Sequence, residues 1–422
     1  MKVLIVGGGG REHALGWKIS QSPQVKKLYF APGNAGTSLI GENVGIGVGE
    51  IEKLKNFVLK NKIDLTVVGP EAPLKEGIVD EFNKEGLRIF GPSRNAARLE
   101  TDKAWAIKFM QRHNIPHPKS IIFNNPKDAF KFVKKPKWKE YVIKASGLAA
   151  GKGVILPDSL KEAKDAIERI MIKKEFDEGK KIIFQERLSG KEVSLLALTD
   201  GKTVIPMIPA QDHKKVFDND KGLNTGGMGA FAPTPTMNDK LLKTVLENIL
   251  KPTVESMQKE GNLFQGVLYA GLMITKNGPK VLEFNCRFGD PETQPLMMLF
   301  SSDFFIALKA CTEGKLKNNL VTFRKGCSLC VVLSSGGYPG EYEKGKIIYG
   351  LDEIPKDIQV FYAGTKIENG HVVTNGGRVL GITAYAKTIK EARQKVYSVI
   401  GKKQIHFLGM HYRKDIGTFI ND

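Results

Sequence analysis

Tyr141-Val142-Ile143-Lys144-Ala145-Ser146-Gly147-Leu148-Ala149-Ala150-Gly151-Lys152-Gly153-Val154 is an apolar strand that enters a tract of small residues and leaves it in another apolar segment. At first sight it resembles a Walker-type phosphate loop. That loop needs four residues between its glycines, Ser or Thr after the lysine, and a helix beyond. Here three residues separate Gly147 from Gly151, Gly153 follows Lys152, and Val154 to Leu156 reads as a strand. The stretch is a glycine-rich hairpin, with more small residues than a plain turn requires. Such a hairpin can lie over a triphosphate and offer backbone N–H groups, with Lys144 at its base toward phosphate oxygens.

Downstream, Gln185-Glu186-Arg187-Leu188-Ser189-Gly190-Lys191-Glu192 ends one strand on an acid, turns, and opens another that carries Glu192. Carboxylates there suit the adenine amino group and ribose hydroxyls, which are donors, although glutamates at strand ends are common on any surface. Lys280-Val281-Leu282-Glu283-Phe284-Asn285-Cys286-Arg287-Phe288-Gly289-Asp290-Pro291-Glu292-Thr293-Gln294 carries more. Alternate strand side chains share a face, so Glu283 and Asn285 point one way and Leu282 and Phe284 the other, into a core. A carboxylate and an amide carbonyl are hard oxygen ligands for Mg²⁺, with Mn²⁺ also possible, completed by phosphates and water. Arg287 can reach the same cluster. Gln211-Asp212-His213-Lys214-Lys215 offers both signs of charge, and Asn224-Thr225-Gly226-Gly227-Met228-Gly229 can bring backbone donors to an anion. Each of these two also reads as an ordinary loop.

Upstream, Gly7-Gly8-Gly9-Gly10-Arg11-Glu12-His13 follows a strand and opens a helix, a place where free N–H groups favour a phosphate. A dinucleotide fingerprint needs a third glycine, but the spacing leads to Glu12 or His13. It also needs an acid after the second strand, where this chain reads Ala31-Pro32-Gly33-Asn34. Nicotinamide binding therefore fails two tests. A monophosphate ester, or a tight structural turn, remains.

Strands Val3–Val6, Leu28–Phe30, Leu65–Val68 and Arg88–Phe90 alternate with helical stretches, which predicts a Rossmann-like parallel α/β sheet. Residues 190–325 read as antiparallel with a long helix near 239–260, and the remainder as a small α+β domain. The 422 residues imply two to four domains. The charge of +19 comes from lysines spread along the chain, without stacking motifs, so it indicates a basic surface around a polyphosphate site and not a nucleic-acid binder. The opening apolar run is too short for a signal peptide, and no stretch would span a membrane. Cys327 and Cys330 form a lone CxxC inside an apolar run, expected to be buried strand residues in a reducing compartment.

In this order the segments resemble those of the ATP-grasp ligases and, within them, the phosphoribosylamine–glycine ligase family. The resemblance rests on GGGGREHAL (7–15), APGN (31–34), GPEAPL (69–74), KASGLAAGKGV (144–154), QERLSGKEVS (185–194), QDHKK (211–215), NTGGMGA (224–230) and EFNCRFGDPETQ (283–294). The tail adds SSGGYPG (334–340), FYAGT (361–365), GGRVLG (376–381) and HYRKDIG (411–417). It implies an N-terminal α/β domain (1–100), an ATP-grasp domain (101–325) with a mobile lid subdomain over about 120–187, and a C-terminal α+β domain (326–422).

By that resemblance Lys103 and Lys144 contact ATP phosphates, and a lid with Ser146, Gly147, Gly151, Lys152 and Gly153 closes over them. Glu186 and Leu188 meet adenine, Glu192 the ribose, and Glu283 and Asn285 the Mg²⁺. The acceptor's 5-phosphate falls at Gly9, Gly10 and Arg11, its ribose near Glu71, with Gly227 and Asp290 also on the substrate side. Asp212 holds an amine, and Arg287 faces the carboxylate and the transferring phosphoryl. Two departures stand out: Leu268–Met273 lacks the extra metal-binding Glu of many ATP-grasp proteins, and Lys215 stands where Arg is expected. The implied reaction joins glycine to 5-phosphoribosylamine through glycyl phosphate, in the cytoplasm. Its partners are small molecules, with neither nucleic acid nor membrane, and the enzyme is a monomer or weak homo-oligomer.

Overall fold

A computed structural model of the chain describes residues 1–148, 153–176 and 181–418. Gly151 and Lys152 lie outside them. Strands β1 (Lys2–Gly7), β2 (Lys27–Pro32), β3 (Glu42–Asn43), β4 (Leu65–Val68) and β5 (Ile89–Phe90) form one parallel sheet in the order β3-β2-β1-β4-β5. Val3 to Val6 are fully buried, as a central strand covered on both faces requires. Strand order reverses beside β1, and helix α1 (Gly10–Ile19) starts at that switch point, where ligands of such sheets bind.

The next sheet is antiparallel: β6 (Ser120–Phe123), β7 (Tyr141–Ala145), β8 (Val154–Ile155) and β9 (Ile182–Glu186), in the order β6-β9-β7-β8. The β7–β8 pair is the hairpin read from the sequence. Helices Pro126–Val133 and Leu160–Ile167 cover this sheet and give it a core of its own around Ile143, Ile167 and Phe184. It is the lid.

The chain continues through β10 (Lys191–Asp200), β11 (Val204–Pro206), β12 (Gln211–Asp212), a hairpin of β13 (Lys215–Phe217) and β14 (Lys221–Asn224), then β15 (Gly229–Ala232). A helical segment over 239–259, with one wider turn at Leu246–Leu250, leads to β16 (Gln265–Thr275) and β17 (Gly278–Asn285). The central sheet runs β11-β10-β16-β17, all antiparallel. Beyond it lie β18 (Cys327–Ser334), β19 (Ile358–Tyr362), β20 (Thr365–Glu368), β21 (His371–Thr374), β22 (Arg378–Ala386) and helix Ile389–Ser398.

The last large sheet crosses the boundary expected near residue 325. Its order is β12-β15-β18-β22-β19, so two short strands from the middle of the chain complete it. Asp212, on β12, is thereby placed by the C-terminal sheet. Cys330 is buried in β18 while Cys327 is partly exposed, and both are free thiols. Three positions apart on a strand they face opposite ways, which excludes them as a metal pair.

Candidate active site

A cleft of about 950 Å³ opens between the lid sheet, the central sheet, the N-terminal sheet and the C-terminal sheet. That is at the upper end of the roughly 300–1,000 Å³ typical of small-molecule sites.

On the lid side Lys144 ends β7 buried, with Nζ 3.4 Å from the Leu282 carbonyl oxygen, to which it donates. Burial lowers its pKa to about 8, against the pull of Glu283. Lys103 opens helix Lys103–Arg112 and donates from Nζ to Gly147 O at 3.3 Å. Ser146 Oγ donates to Asp102 Oδ1 at 3.0 Å and accepts the Ala104 N–H at 3.1 Å. Ser146 and Gly147 therefore fasten the base of the lid to that helix, while Gly153 lines the cleft. Glu186, Leu188 and Glu192 line it too. Glu186 accepts the Lys119 N–H at 3.0 Å, and Glu192 pairs with Lys214 Nζ at 3.1 Å.

The expected alternation in β17 is broken. Glu283 lies opposite Gly271 and Val281 opposite Leu272, so Leu282 is an extra residue, a bulge. Val281 and Phe284 fill the core, and Leu282, expected there, turns to the cleft with Glu283 and Asn285. Burial pushes the Glu283 carboxyl up, but Lys214, Lys144, Lys103 and Arg287 outweigh it and hold its pKa at about 2. Glu283 is thus an anion facing several cations. Asp212 shows the opposite balance: burial, opposed by Lys214 and reinforced by Glu292, Glu192 and Glu283, pushes it up to about 7. Asp212 and then Glu192 raise the pKa of Lys214 well above the usual. Among the described residues none donates a hydrogen bond to the Glu283 or Asp212 carboxylate.

Arg287 is held by two acids. Its Nε lies 3.1 Å from Glu71 Oε2, Nη2 lies 3.0 Å from Glu100 Oε1, and Nη1 donates to Phe288 O at 3.2 Å. Burial pushes the Glu71 carboxyl up, but Arg287 and Arg11 bring it down to about 2. Two of the five guanidinium N–H groups of Arg287 remain for a ligand.

The glycine loop after β1 is less open than its sequence implies. Glu12 turns back, and its Oε2 accepts the Gly9 N–H at 2.6 Å, capping α1. Arg11 Nε lies 2.6 Å from Glu12 Oε1 and its Nη1 donates to Phe288 O at 3.1 Å. Arg11 lines the cleft, whereas Gly9 and Gly10 sit beside it against Glu12, Asp290 and Gln294. Asp290 lines the cleft, accepting from Gln294 Nε2 at 2.8 Å and pairing with Arg378 Nη2 at 3.1 Å. Gly227, with φ +115°, packs on Pro291 and supports the turn whose Gly226 reaches the cleft.

Sequence reasoning assigned no role to Glu100, Ser194, Lys214, Tyr269, Glu292, Tyr338 or Arg378. Glu100 anchors Arg287, and Arg378 Nη1 also donates to Gly226 O at 2.7 Å and Asp290 O at 2.6 Å. Tyr338 and Arg378 do lie in the tail motifs SSGGYPG and GGRVLG, which was the available signal. Among the described residues no group of three or more His, Cys, Asp or Glu forms a metal cage.

A glycine-rich hairpin over a central antiparallel sheet, with a lysine at its base and an acid–amide pair opposite, defines an ATP-grasp enzyme. The biotin carboxylase of Campylobacter jejuni shares the fold, with a TM-score of 0.74 at 16% identity over 99% of this chain and 94% of that one. The family description "Phosphoribosylglycinamide synthetase" matches in three parts: its N domain at residues 1–100, its ATP-grasp (A) domain at 101–293 and its C domain at 328–419. A phosphoribosylamine–glycine ligase from Caldanaerobacter subterraneus is 52% identical over 419 residues, covering 99% of this chain and 100% of that protein. The crystal structure of the Thermotoga maritima phosphoribosylamine–glycine ligase has a TM-score of 0.85 at 34% identity, covering 99% of this chain and 100% of that one. The chain belongs to the phosphoribosylamine–glycine ligase family and is an ATP-grasp ligase.

Proposed function

We propose that the chain joins glycine to 5-phosphoribosylamine, converting ATP to ADP and phosphate and yielding glycinamide ribonucleotide for purine synthesis. One observation carries the reading: Lys103, Lys144, Lys214 and Arg287 line the same cleft as the Glu283 carboxylate. That is a site for a polyphosphate and its metal.

The chemistry is substitution at phosphorus, then at carbon. A glycine carboxylate oxygen bonds to the γ-phosphorus as the bridging P–O bond to ADP breaks. The phosphoribosylamine nitrogen then bonds to the acyl carbon, and the C–O bond to phosphate breaks. Lys103 and Lys144 neutralise phosphate charge, and the free N–H groups of Arg287 meet the carboxylate and the transferring phosphoryl. Asp212, short of donors and raised toward neutrality, holds the acceptor amine and takes its proton on attack. Glu186 and Leu188 frame adenine and Glu192 the ribose. The lid, from Ser146 and Gly147 to Gly153, keeps water from the acyl phosphate. Gly9, Gly10, Arg11, Glu71, Gly227 and Asp290 make the acceptor side, with Arg11 as its charged contact.

Glu283 and Asn285 fit Mg²⁺, and Mn²⁺ as well. One is an ionised carboxylate with no hydrogen bond from a described residue, and the other an amide on the same wall. Two protein oxygens without a cage suit an ion whose other ligands are phosphates and water. When bound, the ion draws charge from the phosphates.

We further assign domains 1–100, 101–325 and 326–422, small-molecule partners, a cytoplasmic setting and a monomer or weak homo-oligomer. Among the described residues no helix is long and apolar enough to cross a membrane. Glycine labelled with ¹⁸O in its carboxylate tests the chemistry. One labelled oxygen should appear in the released phosphate, and unlabelled phosphate would exclude a glycyl phosphate.

A further inference from the structure

Glu292 is a buried carboxylate that the scheme above leaves without work. It precedes helix Thr293–Leu299, is 3% exposed and lines the cleft. One oxygen, Oε1, is saturated: Ser194 Oγ donates to it at 3.1 Å and the Tyr269 hydroxyl donates to it as well. Ser194 Oγ and the Tyr269 hydroxyl oxygen lie 2.8 Å apart on neighbouring strands β10 and β16, so the two hydroxyls converge on that oxygen. Two hydroxyl donors on one oxygen fix the rotamer of the side chain. The other oxygen, Oε2, accepts from no described residue and lies over Gly289, where a Cβ would collide with it. A carboxylate this buried, with an open oxygen, wants a cationic partner.

Among the described residues no cation lies in ion-pair contact with Glu292, although Arg287 and Arg378 feel its charge. Lys214 is paired with Glu192, Arg287 with Glu71 and Glu100, and Arg378 with Asp290. Glu292 lines the same cleft as Asp212, the proposed proton acceptor, and Arg287, the proposed carboxylate contact, and its charge bears on both. An α-amino acid has that polarity: its carboxylate goes to the arginine and its ammonium, one carbon away, to an acid.

We propose that Glu292 binds the ammonium group of glycine, with Ser194 and Tyr269 as its positioning residues. This rests on the ligase reading. The open oxygen of Glu292 takes one ammonium N–H, leaving the glycine carboxylate turned toward the phosphoryl group. Acids of the same size without an amine gain nothing from Glu292, so the residue also selects for an amino acid.

The test is steady-state ADP release with Mg²⁺, ATP and phosphoribosylamine, for the wild type and for Glu292→Gln, Tyr269→Phe and Ser194→Ala, titrating glycine and, separately, acetate. Loss of a charge-assisted hydrogen bond should raise the glycine KM of Glu292→Gln about 10- to 100-fold. The ATP KM should stay within about twofold, and the preference for glycine over acetate should collapse. Tyr269→Phe should raise the glycine KM less, in the same direction, and keeps the test alive should Glu292→Gln not fold. An unchanged glycine KM in folded Glu292→Gln, or a rise confined to phosphoribosylamine, would overturn the proposal and leave the ligase reading standing. A wild type whose ADP release ignores glycine would remove both.

Discussion

Arg413, fully buried near the end of the chain, places Nη1 2.7 Å from Asp220 Oδ1 in the turn of the β13–β14 hairpin. The same guanidinium grips Asp415 at 2.7 Å and donates to Lys215 O at 3.2 Å. Asn219 and Asp220 in that turn have φ values of 58° and 50°, a left-handed pair of non-glycine residues that needs outside support. Lys414 N–H donates to Asp218 Oδ1 at 2.8 Å and Asn219 N–H to Asp415 Oδ2 at 2.8 Å, completing the clamp. The hairpin's first strand follows directly on Lys214, so the C-terminal tail helps set the position of a cleft lysine.

Replacing Arg413 by Met should therefore do two things. The hydrogen bonds and pairing it loses correspond to about 1–3 kcal/mol of stability, seen as a lower melting temperature. Proteolysis within 217–223 should quicken, and the ATP KM should rise several-fold. Asp220→Asn, at a partner 64% exposed, should cost under about 1 kcal/mol. Wild-type proteolysis and ATP affinity in Arg413→Met would refute the clamp.

Glu283→Ala should abolish measurable turnover while the melting temperature moves only slightly, because its side chain faces the cleft and not the core. Circular dichroism and ADP release on one preparation decide it. A Glu283→Ala enzyme with near-normal activity would sink the metal assignment.

Titration of Asp212 should leave a mark on stability. Its carboxyl, raised to about 7, keeps its proton in the native state at pH values where the unfolded chain has lost it. Stability from this residue is therefore greatest near pH 4 and falls as pH climbs toward 7. Asp212→Asn lacks that slope, so denaturant titrations should show the variant gaining on the wild type between about pH 4 and 7. Glu71 and Glu283, held at about 2, act oppositely: their contribution is complete above about pH 4.5 and is lost as pH falls toward 2. Parallel stability curves for wild type and Asp212→Asn would contradict the raised carboxyl.

Ser146 ties the lid strand to helix Lys103–Arg112 through Asp102 and Ala104. Ser146→Ala removes both bonds. It should cost about 1 kcal/mol and raise the ATP KM, with the glycine KM little changed, by comparison of saturation curves.

How much was visible beforehand follows from what each feature depends on. The parallel sheet was legible because Val3–Val6 is a continuous apolar run ending at Gly7, and Leu65–Val68, apolar but for Thr66, ends at Gly69-Pro70, as doubly covered strands demand. The hairpin was legible because Gly153 after Lys152 excludes a helix-opening phosphate loop. The bulge at Leu282 was not, since a period of two carries no sign of an inserted residue. Nor was Glu292: its donors Ser194 and Tyr269 lie 98 and 23 residues away, and only the pairing of β10 with β16 brings them together. The helix start at Gly9–Arg11 read as a monophosphate site or a tight turn, and the fold-back of Glu12 onto Gly9 was not foreseen. The C-terminal sheet took in Gln211–Asp212 and Gly229–Ala232, segments too short and too rich in glycine or charge to declare themselves strands.

The most direct measurement is ADP release by the purified chain with Mg²⁺ and ATP, adding glycine and freshly made phosphoribosylamine singly and together. Sustained release that needs both is the predicted result, with glycinamide ribonucleotide forming in equal amount. ADP release indifferent to either substrate would contradict it, leaving the ATP-grasp fold in search of another carboxylate and amine.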